Sequence, residues 1–179
     1  GQSGGQLTVD DGSINTSGDF SKTGGSLTSS TATLKLSDNV TLSSDSALSF
    51  KALTLNNKKL TLGGQAGSFA LSDELNLNNP NGLIVQDSTA LKLNGGLSIN
   101  SGGVLRLSKD LDTGTAKIKL NGGLLAIDND ITLNSSITHL AASTIKIAEN
   151  KTLNYEGMTF KVGASALSIN GGGSFTNTN

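Results

Sequence analysis

His139, in the stretch Ser136-Ile137-Thr138-His139-Leu140, is the only histidine of the chain, so no His pair exists to hold a metal or build an acid–base relay. Alone among hydroxyl-rich neighbours it reads as a surface or corner residue. Acidic residues fall in close pairs: Asp10 and Asp11, Asp73 and Glu74, Asp110 and Asp112, Asp128 and Asp130. Neighbouring loop carboxylates are the oxygen donors that calcium takes, which makes Asp110, Asp112, Asp128 and Asp130 the weak calcium candidates. None has EF-hand spacing, and GGLLAIDND at 122–130 lacks the Asp at the offset of the calcium nonapeptide, so the expectation is solvated corner carboxylates. Hydrolysis of a glycoside needs two opposed carboxylates, and sugar sites favour aromatic platforms, yet Tyr155 is the only tyrosine and tryptophan is absent. A polysaccharide lyase would want a positioned Arg or Lys base. The sole arginine, Arg106, lies in Leu105-Arg106-Leu107 as an ordinary outward strand residue. These residues point to no catalytic centre and no cofactor.

Charge and composition exclude further classes. Thirteen basic against 14 acidic residues give a net charge of -1, which offers no field for phosphates, so nucleic acid is not an expected partner. No apolar run is long enough to span a bilayer, and the opening GQSGGQLTVDDG lacks the basic and apolar regions of a signal peptide. With no cysteine there are no disulfides or thiolate metal sites. Sequons at Asn15, Asn39, Asn134 and Asn150 arise readily in so Asn-, Ser- and Thr-rich a chain.

The elements that must position these residues follow from a repeat. Apolar-x-apolar triplets recur from Leu7-Thr8-Val9 through Leu34-Lys35-Leu36, Leu60-Thr61-Leu62, Leu91-Lys92-Leu93, Leu105-Arg106-Leu107 and Ile145-Lys146-Ile147 to Leu167-Ser168-Ile169. With weaker members included (Ile14, Phe20, Leu27, Phe69, Leu111, Ile137, Leu153 and Phe175), 25 anchors run from Leu7 to Phe175 at a mean spacing of 7.0. A heptad would set its apolar residues three and four apart, whereas here they are two apart, which is strand alternation. The segments between read N-G-G, S-G-G, N-N and D-N-D and would break helices repeatedly. Strands of three to four residues are too short to form stable hairpins in such number, so they must stack.

Three units to a coil, about 21 residues, predict an all-β, single-stranded parallel β-helix with strands roughly 4.8 Å apart along the axis. The chain accommodates about eight such coils in one domain, 1–179. First and third triplet residues point inward and middle residues point out; the middle positions are mainly polar, as at Thr41, Asn76, Lys92 and Lys146, with Ile84, Ala70 and Ala126 the apolar exceptions. Corner glycines at 63–64, 95–96, 102–103, 122–123 and 171–173 permit positive φ, and corner asparagines suit left-handed conformations or amide ladders. The near repeat of LKLNGGLSI at 91 and IKLNGGLLAI at 118 has a longer period than one such coil, which implies coils of unequal length. That irregularity favours a right-handed β-helix over the left-handed hexapeptide type. Residues 1–33 keep the spacing with more Gly and Ser and read as weak first coils or a strand-donor segment.

The units VTLSSDSALSF at 40, LTLNNKKLTLGG at 53, LKLNGGLSINSGGVLRL at 91 and IKLNGGLLAIDNDITL at 118 resemble the β-helical passengers of bacterial autotransporter and filamentous-haemagglutinin-like adhesins. The resemblance covers the whole chain and is architectural. It implies a secreted, surface-attached shaft for adhesion, biofilm or assembly. With no amphipathic helix at either terminus to cap the stack, the open edges of the end coils are expected to make the chain self-associate into a polymer, and a host surface or polysaccharide is the expected ligand. Two other functions fit such a stack: a carbohydrate-active β-helix, distinguished by products from a polysaccharide panel, and an ice-binding solenoid with a flat threonine array, distinguished by thermal hysteresis.

Overall fold

The computed structural model describes residues 6–10, 12–23, 27–63, 67–78 and 83–178, with the backbone alone at 6–10 and 83. Every apolar-x-apolar unit forms one short strand, and no helix occurs among the described residues. After β1 (Gln6–Asp10), three strands make each coil. The first strands are β2 (Ser13–Ser17), β5 (Thr33–Leu36), β8 (Ala52–Thr54), β11 (Leu75–Leu77), β14 (Leu97–Asn100), β17 (Ile118–Asn121), β20 (Ile137–Ala141) and β23 (Phe160–Lys161). The second strands are β3 (Phe20–Lys22), β6 (Val40–Ser44), β9 (Lys59–Gly63), β12 (Leu83–Gln86), β15 (Val104–Leu107), β18 (Leu124–Ile127), β21 (Ser143–Ile147) and β24 (Leu167–Gly171). The third strands are β4 (Leu27–Thr28), β7 (Ala47–Phe50), β10 (Ser68–Leu71), β13 (Ala90–Leu93), β16 (Leu111–Asp112), β19 (Ile131–Leu133), β22 (Thr152–Tyr155) and β25 (Ser174–Asn177).

Strands of like rank pair in parallel from coil to coil, so seven turns carry the chain through eight layers. Turns differ in length, being short from Leu34 to its stacked partner Leu53 and long from Leu60 to Ile84 and from Ile145 to Ile169. The second strands form one unbroken eight-stranded wall. The other two walls are each split once, between β8 and β11 and between β16 and β19, where no ladder pairing joins the neighbouring coils.

Stacking like on like builds the core. Val40, Leu60, Ile84, Leu105, Leu125 and Ile145 form one inward column of the unbroken wall, each at most 2% exposed. Full burial of such a side chain contributes about 1.5–3 kcal/mol, and the column repeats it at every layer. The few rings gather by contact: Phe50 and Phe69 have centroids 5.8 Å apart, and Tyr155, Phe160 and Phe175 form a cluster in the last two coils.

Four readings of the sequence are corrected by this register. In β12 the inward residues are Ile84 and Gln86, one position out of phase with the triplet Leu83-Ile84-Val85, because the turn from Leu60 to Ile84 is longer than the turns on either side of it. Gln86 therefore stands in a core column between Leu62 and Leu107, where its amide nitrogen donates to Thr89 O at 2.9 Å. His139 is not at the surface but 1% exposed: it shares the inward parity of Ile137 and pairs with Leu120. A bulge then pairs Asn121 with Ala141 and leaves Leu140 52% exposed. The near repeat at 91 and 118 does not measure a coil, since Leu91 lies on a third strand and Ile118 on a first strand; the stacking partner of Ile118 in the coil before it is Leu97. Finally, the first triplet is no parallel rung. β1 pairs antiparallel with β2, and Gly12, which directly precedes β2, has φ 69°.

Corners divide labour between paired glycines. Gly102 has φ 78°, a conformation costly for other residues, while Gly103 is needed for space: a Cβ there would stand 2.2 Å from the Leu77 carbonyl oxygen of the preceding coil. Asn56, Asn57 and Asn150 take positive φ at other corners, as the sequence suggests.

Candidate functional site

The four calcium candidates are spread over two corners and each carboxylate is engaged by the protein itself. Asp110 Oδ1 accepts the Thr132 amide at 2.7 Å and Asp130 Oδ1 accepts the Thr152 amide at 2.9 Å, each from the next coil. Asp112 Oδ1 accepts the Gly114 amide at 2.8 Å. Asp128 holds Arg106 in a two-point bond, 2.8 Å to both Nε and Nη2, and this hydrogen bonding, with the Asp128 charge second, raises the Arg106 pKa above its ordinary value. Among the described residues no group of three His, Cys, Asp or Glu side chains lies close enough to hold a metal ion.

Sequence reading missed why these acids stand where they do. Asp19 accepts the Thr41 amide and Asn39 the Lys59 amide in the same way as Asp110 and Asp130, always from the coil that follows. All four directly precede an apolar anchor: Phe20, Val40, Leu111 and Ile131. The carboxylate or amide oxygen thereby caps the start of the strand above it. That Asp/Asn-before-anchor pattern is a signal the sequence carries.

His139 Nδ1 accepts the Gly163 amide at 3.3 Å, which tethers coil seven to coil eight, and Nε2 has no partner among the described residues. Tyr155, 1% exposed, donates its hydroxyl to Thr159 O at 2.5 Å, and burial raises its pKa above the usual tyrosine value. On the unbroken wall the outward row reads Thr41, Thr61, Val85, Arg106, Ala126, Lys146 and Asn170, so adjacent threonines extend over two coils only.

Concave ground appears where the walls split. One cleft, of about 170 Å³, lies at the gap between β16 and β19 and includes Asp110, Asp112 and Asn134. A second, of about 300 Å³, lies at the gap between β8 and β11 and is lined by Leu53, Thr54, Leu55, Asn56, Glu74, Asn76 and Asn78. Beside it runs an amide ladder: Asn121 Nδ2 donates to Asn100 Oδ1 at 2.8 Å, and Asn100 Nδ2 donates in turn to Asn78 Oδ1. Lys119 reaches down two coils to Glu74, with Nζ 2.9 and 3.0 Å from its carboxylate oxygens.

Fold and surface together define a parallel β-solenoid, a repeat architecture whose layers touch only their neighbours. Compared with protein-family models, with curated proteins and with solved structures, the chain matches none.

Proposed function

We propose that the chain is a non-enzymatic structural and adhesive protein of an extracellular surface, a stiff shaft whose copies join end to end, or by donation of the 1–33 segment, into a filament. The observation that carries this reading is the repetition of one bond pattern. Each coil is held to the next by in-register main-chain pairing, so the layer of β23, β24 and β25 offers a further coil the same edges that β20, β21 and β22 offer to it. The inward residues of that layer support it: Ile169 is 42% exposed, and Phe160, Leu167 and Phe175 are half-buried, whereas their equivalents Ile145, Ile137, Ser143 and Leu153 one coil earlier are buried. A second layer over them would bury that apolar surface.

Electron microscopy and sedimentation of the purified protein across a wide concentration range test the reading. Rods that lengthen with concentration, and that shorten in Ile169→Lys, are expected. Particles that stay monodisperse at every concentration would overturn it.

A further inference from the structure

We propose that the cleft between β8 and β11 binds a small neutral saccharide, as displayed at the end of a surface glycan or polysaccharide. The inference rests on the adhesive half of the reading above and gives it a ligand class and a place.

The cleft exists because two ladders fail together there. Main-chain stacking is still intact just before it, where the Ser72 and Asp73 amides donate to Phe50 O and Lys51 O of the coil below. The spacing with which β11 stacks on β14, Leu75 with Leu97 and Leu77 with Ile99, would, if kept between β8 and β11, make Asn56 the rung beneath Asn78, continuing the column of Asn78, Asn100 and Asn121. Instead Asn56 takes φ 51° and turns its amide nitrogen to Leu36 O at 2.8 Å, while β8 and β11 do not pair with each other. The Asn78 amide nitrogen is thus left as a donor and the Asn56 amide oxygen as an acceptor on opposite lips of one cleft, with no partner among the described residues. Thr54 adds a hydroxyl and Asn76 a third amide, whose nitrogen is 3.4 Å from Glu74 O.

The chemistry selects the ligand. Planar amides and a carboxylate, with mixed donors and acceptors, match adjacent hydroxyl groups, which both give and take hydrogen bonds. Glu74 is neutralised by Lys119, so the site has no net charge to attract an ion. Half-buried Leu53 and buried Leu55 supply an apolar floor for the C–H face of a ring. Size points the same way: about 300 Å³ is at the small end of ligand clefts. An added peptide strand would need roughly 4.8 Å on each side, yet the same two coils are clamped together on the other walls by β9 with β12 and β10 with β13.

Titration of the full chain, followed by amide NMR, with cellobiose, N,N′-diacetylchitobiose, lactose and an acetylated Thr-Asn-Thr-Asn peptide decides the matter. At least one sugar should give saturable shifts in the side-chain amides of Asn56, Asn76 and Asn78 with a Kd in the millimolar range. Asn78→Ala and Glu74→Gln should each weaken it about tenfold, and Asp128→Asn, at another corner, should leave it unchanged. No saturable shift with any of the three sugars, shifts centred elsewhere, unaltered affinity in Asn78→Ala, or saturation by the peptide alone would each overturn the proposal. Filament length is read separately by microscopy, so a shaft that forms without sugar binding refutes the site alone, and sugar binding without a shaft refutes the polymer alone.

Discussion

Two glycine-to-alanine changes separate what a corner needs from what a loop merely tolerates. Gly103 sits where coil five passes coil four; an added Cβ would lie 2.2 Å from Leu77 O, 2.8 Å from Leu77 C and 2.9 Å from Leu77 Cβ. Two of these are backbone atoms, so the coils themselves must part. Overpacking of this kind costs about 1–3 kcal/mol. Displacement of Gly103 also strains two bonds that it makes, its amide to Asn100 O at 2.8 Å within coil five and its carbonyl to the Leu124 amide of coil six at 2.9 Å, each worth about 1 kcal/mol. Gly103→Ala should therefore destabilise by about 3 kcal/mol. Gly114 has the more demanding backbone, φ 56°, but nothing stands within 4 Å of its missing Cβ. There alanine costs about 1–2 kcal/mol for the left-handed conformation. Reduced freedom of the unfolded chain returns about 0.4–1 kcal/mol, leaving a net loss of about 0–1.6 kcal/mol. Urea titration by circular dichroism should show Gly103→Ala with the lower midpoint by the equivalent of about 2 kcal/mol. Because layers contact only their neighbours, hydrogen exchange should locate the loss at β14 and β15. Equal midpoints for the two variants, or exchange unchanged in β14 and β15, would refute the close approach of coils four and five.

Other expectations follow from single contacts. Leu105→Ala, at a fully buried position stacked between Ile84 and Leu125, should cost about 3 kcal/mol in the same titration; a loss below about 1 kcal/mol would contradict the continuous column. Arg106→Ala removes a pair whose side chains are 49% and 26% exposed, so the loss should be under about 1 kcal/mol and should fade in high salt. For Tyr155 the folded pKa is raised above the unfolded one, so its contribution to stability is full below the ordinary tyrosine pKa of 10.0 and declines as pH rises through the higher folded value. Ultraviolet titration should show phenolate forming later in the folded than in the urea-unfolded chain, and the reverse order would contradict the burial of that ring. Tyr155→Phe, which leaves Thr159 O without the hydroxyl donor, should cost about 1 kcal/mol by thermal unfolding and loosen the last two coils.

Much of the architecture was legible in the residues because the solenoid repeats a local rule. Each of the 25 apolar anchors coincides with one of the 25 strands among the described residues, since two-residue alternation and helix-breaking corners act within a few residues of chain. The left-handed asparagines at 56, 57 and 150 follow from side-chain preferences of the same short range. The acids at 110, 112, 128 and 130 could be picked out, but their bonding could not: whether a corner carboxylate faces solvent, a neighbouring arginine or the amide of the coil above depends on a partner a full turn of the solenoid away.

By itself, then, the order of residues determined the strand content, the three-sided coil and the aliphatic interior, because period-2 patterning and turn chemistry leave one way to bury these side chains. Tertiary stacking decided the rest. Register between coils, which shifts with the length of each turn, placed Ile84, Gln86 and His139 inside, folded β1 back on β2, and opened the two walls at β8–β11 and β16–β19. A one-residue change of phase exchanges the inner and outer faces of a strand, and only the layers above and below select the phase.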